Sequence, residues 1–168
     1  MDEHRCGLKP TTQRTWSKKG KRPIEPVNPG YKWRYVWSWV RPATGELEVW
    51  LSEHVDTDLH NKMLEELAKS LGLGANRRIL LVLDRAGWHT SKKLNVPEGI
   101  ELFFLPAATP ELQPAERLWS LFDEPLIGLA ASEIEQVEQA LAKRSMWLFE
   151  NPDVVQGRTL FHWWPENP

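Results

Sequence analysis

Ile79-Leu80-Leu81-Val82-Leu83-Asp84 is the stretch that decides the fold class. Five successive apolar residues offer water no polar face, so they predict a buried central strand covered by helices on both sides. The strand closes on an acid. Open α/β sheets place their ligand crevices beyond the carboxyl ends of such strands, which makes Asp84 the first candidate functional residue.

Working outward toward the start of the chain, Leu59, Met63, Leu64, Leu67 and Leu71 follow helical spacing. Thr57 or Asp58 is placed to cap that helix, and Gly72 or Gly74 to end it. Before it, residues 31–40 alternate: Tyr31, Trp33, Tyr35, Trp37 and Trp39 share one face of a strand. Turn chemistry at 42–45 and a second alternating run over 46–52 make a hairpin. The rows of tryptophan predict core packing more than a base-stacking platform. In the other direction, residues 100–105 form a second apolar strand, broken by the prolines at 106 and 110. Pro114 suits the first turn of a helix through Glu116, Leu118, Trp119, Leu121 and Phe122. A last helix opens with a capping box at 132–135 and carries Ile134, Val137, Leu141 and Leu148 on one face. The expected architecture is a mixed α/β sheet flanked by helices.

Composition narrows the function. The chain has 168 residues, 41% of them hydrophobic, which suits one domain with a core. Its 21 basic and 23 acidic residues give a formal net charge of −2, so any contact with nucleic acid is local rather than a global basic field. The basic residues are segregated, with Arg5, Lys9, Arg14, Lys18, Lys19, Lys21 and Arg22 in the first 22 positions. The run from Lys18 to Arg22 reads equally as a grip on DNA phosphates or as a solvated turn. Cys6 is the one cysteine, which excludes a disulfide framework and a multi-cysteine zinc site. No stretch approaches a membrane span or a signal core, so the expected location is the cytoplasm, at the nucleoid when acting on DNA.

Glu116 stands in the first turn of its helix, where free backbone amides favour a carboxylate. Taken singly, Asp84 and Glu116 read equally as a turn former and a helix-start acid. Their surroundings are more specific. Asp84-Arg85-Ala86-Gly87-Trp88-His89 and Thr109-Pro110-Glu111-Leu112-Gln113-Pro114-Ala115-Glu116-Arg117-Leu118-Trp119 together resemble the catalytic core of mariner-superfamily insertion-sequence transposases, the DDE endonucleases. Asp2-Glu3-His4-Arg5-Cys6-Gly7-Leu8, with Arg14-Thr15-Trp16 and Lys19-Gly20-Lys21-Arg22-Pro23, looks like the family's first acidic motif and the turn after it.

The resemblance covers residues 2 to about 125 and implies an RNase H-like fold, with a shortened first strand, in one catalytic domain over 1–168. Residues 126–168 would be a helical extension, and no helix-turn-helix is expected ahead of the domain. It implies Asp2, Asp84 and Glu116 as catalytic, metal-binding residues for Mg2+ or Mn2+, with two ions expected. The implied activity is cleavage at transposon ends to leave a 3′ hydroxyl, and transfer of that hydroxyl to target DNA at a TA dinucleotide. The implied partners are transposon-end and target DNA, with a second copy or a subunit from an upstream frame. Arg85 stands where the family usually has asparagine, and is expected to contact DNA along with Lys18, Lys19, Lys21, Arg22 and His89. For His89 the bland reading is a histidine that holds its loop. Two other functions fit the same residues: an inactive remnant or accessory subunit that associates with full-length transposase or DNA, and an RNase H-like nuclease without strand transfer.

Three separated carboxylates suit this chemistry. Hydrolysing a phosphodiester needs a deprotonated nucleophile and a stabilised leaving oxygen, and two divalent ions about 3.5 to 4 Å apart can supply both. A donor set of carboxylates favours magnesium or manganese over zinc.

Overall fold

The computed structural model describes residues 1–9, 11, 14, 16–21, 24, 28 and 30–163. Arg22 and Pro23 lie outside them. The strands are β1 (Asp2–Gly7), β2 (Trp33–Arg41), β3 (Glu46–Ser52), β4 (Ile79–Leu83) and β5 (Ile100–Phe104). The α-helices are α1 (Thr57–Ser70), α2 (Trp119–Asp123), α3 (Ile134–Glu150) and α4 (Pro152–Thr159), and 3-10 turns over Pro110–Leu112 and Pro114–Leu118 lead into α2.

Strands β1, β2 and β3 form an antiparallel sheet in that order, and β4 pairs with β5 in parallel. All six residues of β1 pair with β2, from Asp2 opposite Ser38 to Gly7 opposite Trp33. The two sheets meet where the Met1 amino group donates to the Val82 carbonyl at 2.6 Å. The start of β1 therefore lies against the end of β4, which brings Asp2 toward Asp84.

Alternation in β2 works as the sequence predicts. Trp37 and Trp39 are buried under α1 with Met63, Leu64 and Leu67, while Val36, from the opposite face, packs with Leu118, Phe122, Val137 and Leu141 of the helices on the other side. Burial of a leucine such as Leu64 is worth roughly 1.5–3 kcal/mol. Trp37 and Trp39 are thus core, with Trp37 Nε1 donating to Ser52 Oγ at 2.8 Å, whereas Tyr31 and Trp33, at the start of the alternating run, are exposed.

The helix ends follow local chemistry. Asp56, rather than Thr57 or Asp58, caps α1, its Oδ1 accepting from the Leu59 amide at 2.8 Å. Gly72, at φ +59°, ends α1 with the amides of Gly72 and Leu73 donating to the carbonyls of Lys69 and Ala68. This double bond pattern requires the left-handed conformation that glycine adopts freely. Gly45, at φ +74°, closes the hairpin where a Cβ would run into the Pro152 carbonyl. At α3 the cap moves one residue on, to Glu133, with Gln136 Oε1 accepting from the amides of Ser132 and Glu133.

One expectation needs correction. The strand at 79–83 is not buried on both faces: Leu81 and Leu83 lie under α1, but Leu80 is 59% exposed and Phe103, on the neighbouring strand, 52%. Helices α2, α3 and α4 pack around the three-stranded sheet, and among the described residues no helix covers the other face of β4 and β5. An unbroken apolar run states that a strand lacks a polar face, not that a helix is present to cover it. Helix α4 also escaped prediction, since its eight residues have almost no apolar periodicity beyond the buried Val155. Among the described residues no helix is long and apolar enough to cross a membrane.

Candidate active site

The amino end of β1, the carboxyl end of β4 and the 3-10 turn before α2 meet around a cleft of about 310 Å³. Asp2, Asp84 and Glu116 all line it, with Arg85, Gln113 and the loop 105–110. Thus three acids separated by up to 114 positions in sequence share one concavity, and each arrives from a different element.

Asp2 is buried, and Trp119 Nε1 donates to its Oδ2 at 3.0 Å. Burial, and then the negative charge of Glu116, push the Asp2 pKa up to about 7. Such crowding of carboxylates is what a cation relieves. Asp84 is more open. Its Oδ1 accepts from the Ala86 amide at 2.9 Å, which shapes the turn after β4, and faces His89 Nδ1 at 2.8 Å. Glu116 is exposed, and its turn is tied back to β1 by the buried Gln113, whose Nε2 donates to the Met1 carbonyl at 2.8 Å. The same Gln113 carbonyl accepts from the Glu116 amide.

Ala108, on the cleft wall, has φ +56°. A non-glycine residue in the left-handed region carries strain that the surroundings must hold, and such residues concentrate at functional sites.

His89 stands elsewhere than expected. It is fully buried, its Nε2 lies 2.9 Å from Glu3 Oε1, and its Nδ1 faces Asp84. Burial pulls its pKa down, but the hydrogen bond and charge of Glu3, then those of Asp84, reverse this and the net shift is upward. When protonated, the ring donates one N–H to each carboxylate. Trp88 Nε1 also lies 3.0 Å from Nε2, and finds an acceptor there only when that nitrogen is unprotonated. With both nitrogens engaged and no exposed edge, the ring has no donor to offer a phosphate, and the loop-holding reading is the one that fits. Glu3 and Gln113 were missed as participants. The doublet Asp2-Glu3 carries the one signal for Glu3, because alternation in a strand sends adjacent acids to opposite faces.

Arg85 is exposed on the cleft, with Nε donating to the Leu105 carbonyl at 3.2 Å. Lys18, Lys19 and Lys21 are exposed on a turn closed by the Lys21 amide on the Lys18 carbonyl at 2.9 Å, with Gly20 at φ +84°. They do not line the cleft. Arg22 lies outside the described residues.

Comparison with solved structures places the fold. The chain aligns with the Mos1 mariner paired-end complex with Mn over 94% of its own length and 52% of that chain, at 17% identity and a TM-score of 0.59. A pre-cleavage Mos1 transpososome gives a TM-score of 0.61 at 15% identity, covering 93% of this chain and 52% of that one. The fold is RNase H-like, as in these transposases. A curated relative, the uncharacterized protein y4pE/y4sA of Sinorhizobium fredii, is 39% identical over 87 residues, which are 52% of this chain and 63% of that protein. The chain thus spans about half the length of these solved structures and under two thirds of this relative. The sequence pattern described as DDE superfamily endonuclease matches residues 1–139, a span that takes in Asp2, Asp84, Glu116 and all five strands of the two sheets. By that match the chain belongs to the DDE superfamily endonucleases.

Proposed function

We propose that the chain is the catalytic domain of a transposase, with residues 1–168 as one unit and 126–168 its helical extension. It cleaves DNA at transposon ends and transfers the resulting 3′ hydroxyl to target DNA. The observation that carries this reading is the meeting of Asp2, Asp84 and Glu116 on one cleft, with Asp2 held near a pKa of 7 by burial and by Glu116.

The donor set fits Mg2+ or Mn2+: carboxylate oxygens only, in a cleft open enough to leave places for water and phosphate. One of the solved Mos1 structures is a complex with Mn and another a complex with Mg. When bound, a pair of such ions supplies a nucleophile deprotonated near neutral pH and stabilises the leaving oxygen. The protein positions this chemistry. Asp2 and Glu116 face each other across the cleft, Asp84 is oriented by His89 and the Ala86 amide, and Arg85 on the rim is placed to receive a DNA phosphate. The lysines at 18, 19 and 21 extend that contact along the backbone of the duplex. His89 acts as a positioning residue: its partners are protein carboxylates.

Nicking of a duplex carrying the element's ends tests the proposal. Divalent-ion-dependent cleavage should disappear in Asp84→Asn and in Glu116→Gln, both of which keep volume and remove charge. Unchanged cleavage in either variant would assign the activity to other residues, and no cleavage by the unaltered chain with its ends supplied would favour the accessory or inactive reading.

A further inference from the structure

We propose that His4, Cys6 and Asp123 form a second metal site, specific for one thiophilic divalent ion of the zinc class and separate from the acidic cleft. His4 and Cys6 point to the same face of β1, two residues apart, and Asp123 reaches them from the last turn of α2. The imidazole nitrogen, thiol sulfur and carboxylate oxygen all lie within 4.8 Å of one another, the one such trio of histidine, cysteine, aspartate or glutamate groups among the described residues.

Zinc takes such nitrogen, sulfur and oxygen ligands at roughly 2.0–2.3 Å in a tetrahedron. Tetrahedral ligand atoms are then roughly 3.3–3.8 Å apart, so adjustment of about 1 Å completes the geometry. Three protein ligands leave a fourth position for water. The site is accessible from outside: the His4 and Asp123 side chains are 24% and 32% exposed, while Cys6 is buried beneath them. His4 Nε2 now lies 2.9 Å from Asp123 Oδ1, so both ligands are already turned to the same point. The His4 ring is further fixed by stacking on Trp119, with centroids 5.0 Å apart and planes 12° from parallel.

Selectivity follows from the sulfur. Cys6 is a buried free thiol whose sulfur faces His4 and Asp123. A metal that bonds strongly to sulfur displaces the proton, forming a metal–sulfur bond and releasing H+ to solvent. A hard ion such as Mg2+ gains too little from sulfur to do so. The two sites therefore divide the metals by chemistry, oxygen donors in the cleft and a mixed sulfur, nitrogen and oxygen set on the flank. Trp119 lies between them, with its Nε1 on Asp2 and its ring on His4.

Cobalt(II) titrated into the full chain reads the site directly, because thiolate bound to cobalt gives a near-ultraviolet charge-transfer band. Cys6 is the one cysteine in the sequence, so the band identifies its own ligand. The expected result is one equivalent of cobalt with that band and with strong tetrahedral visible bands, both removed by stoichiometric zinc and unaffected by excess Mg2+. Cys6→Ser should abolish the band. His4→Gln and Asp123→Asn, at partly exposed positions, should each weaken binding at least about tenfold, with circular dichroism unchanged. Asp84→Asn should leave the titration as it was. Cobalt bound without the band, or a band of equal affinity in both His4→Gln and Asp123→Asn, overturns the proposal.

Discussion

His89 and Asp84 are joined at 2.8 Å behind the carboxyl end of β4, and the buried Glu3 closes the other side of the same ring at 2.9 Å. The cleft acid is thus fixed through a histidine to the face of β1 opposite Asp2. Removing the ring by His89→Ala leaves Glu3 buried without its partner, a change that costs about 3–5 kcal/mol. Denaturant unfolding checks this. The double change Glu3→Gln with His89→Ala should cost less than the sum of the two single changes, because each single change strands the other group. Additive losses would contradict the clamp.

Asp2 predicts a conflict between stability and activity. Its pKa is raised to about 7 in the metal-free fold against 3.8 for an ordinary aspartate. The folded chain therefore holds a proton that the unfolded chain releases between these values, and stability falls as pH rises through that window. Asp2→Asn removes an ionised buried carboxylate while keeping an oxygen for Trp119. It should raise stability at pH 8 by up to roughly 4 kcal/mol without metal, and abolish cleavage. A destabilised Asp2→Asn variant at pH 8 would contradict the electrostatic account.

His60 has the opposite sign. It is fully buried against Trp37 and His89, with neither ring nitrogen hydrogen-bonded; the Trp88 backbone is near but outside bonding geometry. Burial, and then the neighbouring His89, lower its pKa to about 4. The unfolded chain takes up a proton near pH 6.5 that the folded chain refuses until about pH 4, so stability falls as pH drops through that window. His60→Phe should flatten this part of the stability profile and, by removing two orphaned polar atoms, leave the chain at least as stable at pH 7. An unchanged acid limb in His60→Phe would refute the assignment.

Contact with DNA through Arg85 and the lysine turn should be weak in a chain of net charge −2, and indifferent to sequence, because phosphate contacts carry no base information. Affinity for a labelled duplex should fall as salt rises, and Arg85→Ala should reduce the slope of log K against log salt by about 1. A slope unaffected by Arg85→Ala would remove that residue from the interface.

Much of this architecture was legible because its causes are local. Alternation over 31–40, helical spacing from Leu59 to Leu71 and a glycine stop at 72 or 74 each dictate an element without reference to the rest of the chain. Asp84 was readable from its place at the end of an apolar strand, and Glu116 from its motif. The cover on each sheet face was not, because Leu80 and Phe103 have the same composition whether or not a helix lies over them. Glu3 and Gln113 were missed because their partners are 86 and 112 positions away, and the role of His89 depends on Glu3, 86 positions off, as well as on its local partner Asp84. Only the meeting of β1 with β4 and the 3-10 turn decides what they touch.

Diffraction from crystals soaked in Mn2+, recorded for its anomalous signal, tests the central claim most directly. The account predicts anomalous peaks in the cleft within coordination distance of Asp2, Asp84 and Glu116, lost in Asp84→Asn at equal Mn2+. A cleft without anomalous density at saturating Mn2+, or manganese bound while those three carboxylates stay apart from it, would contradict it.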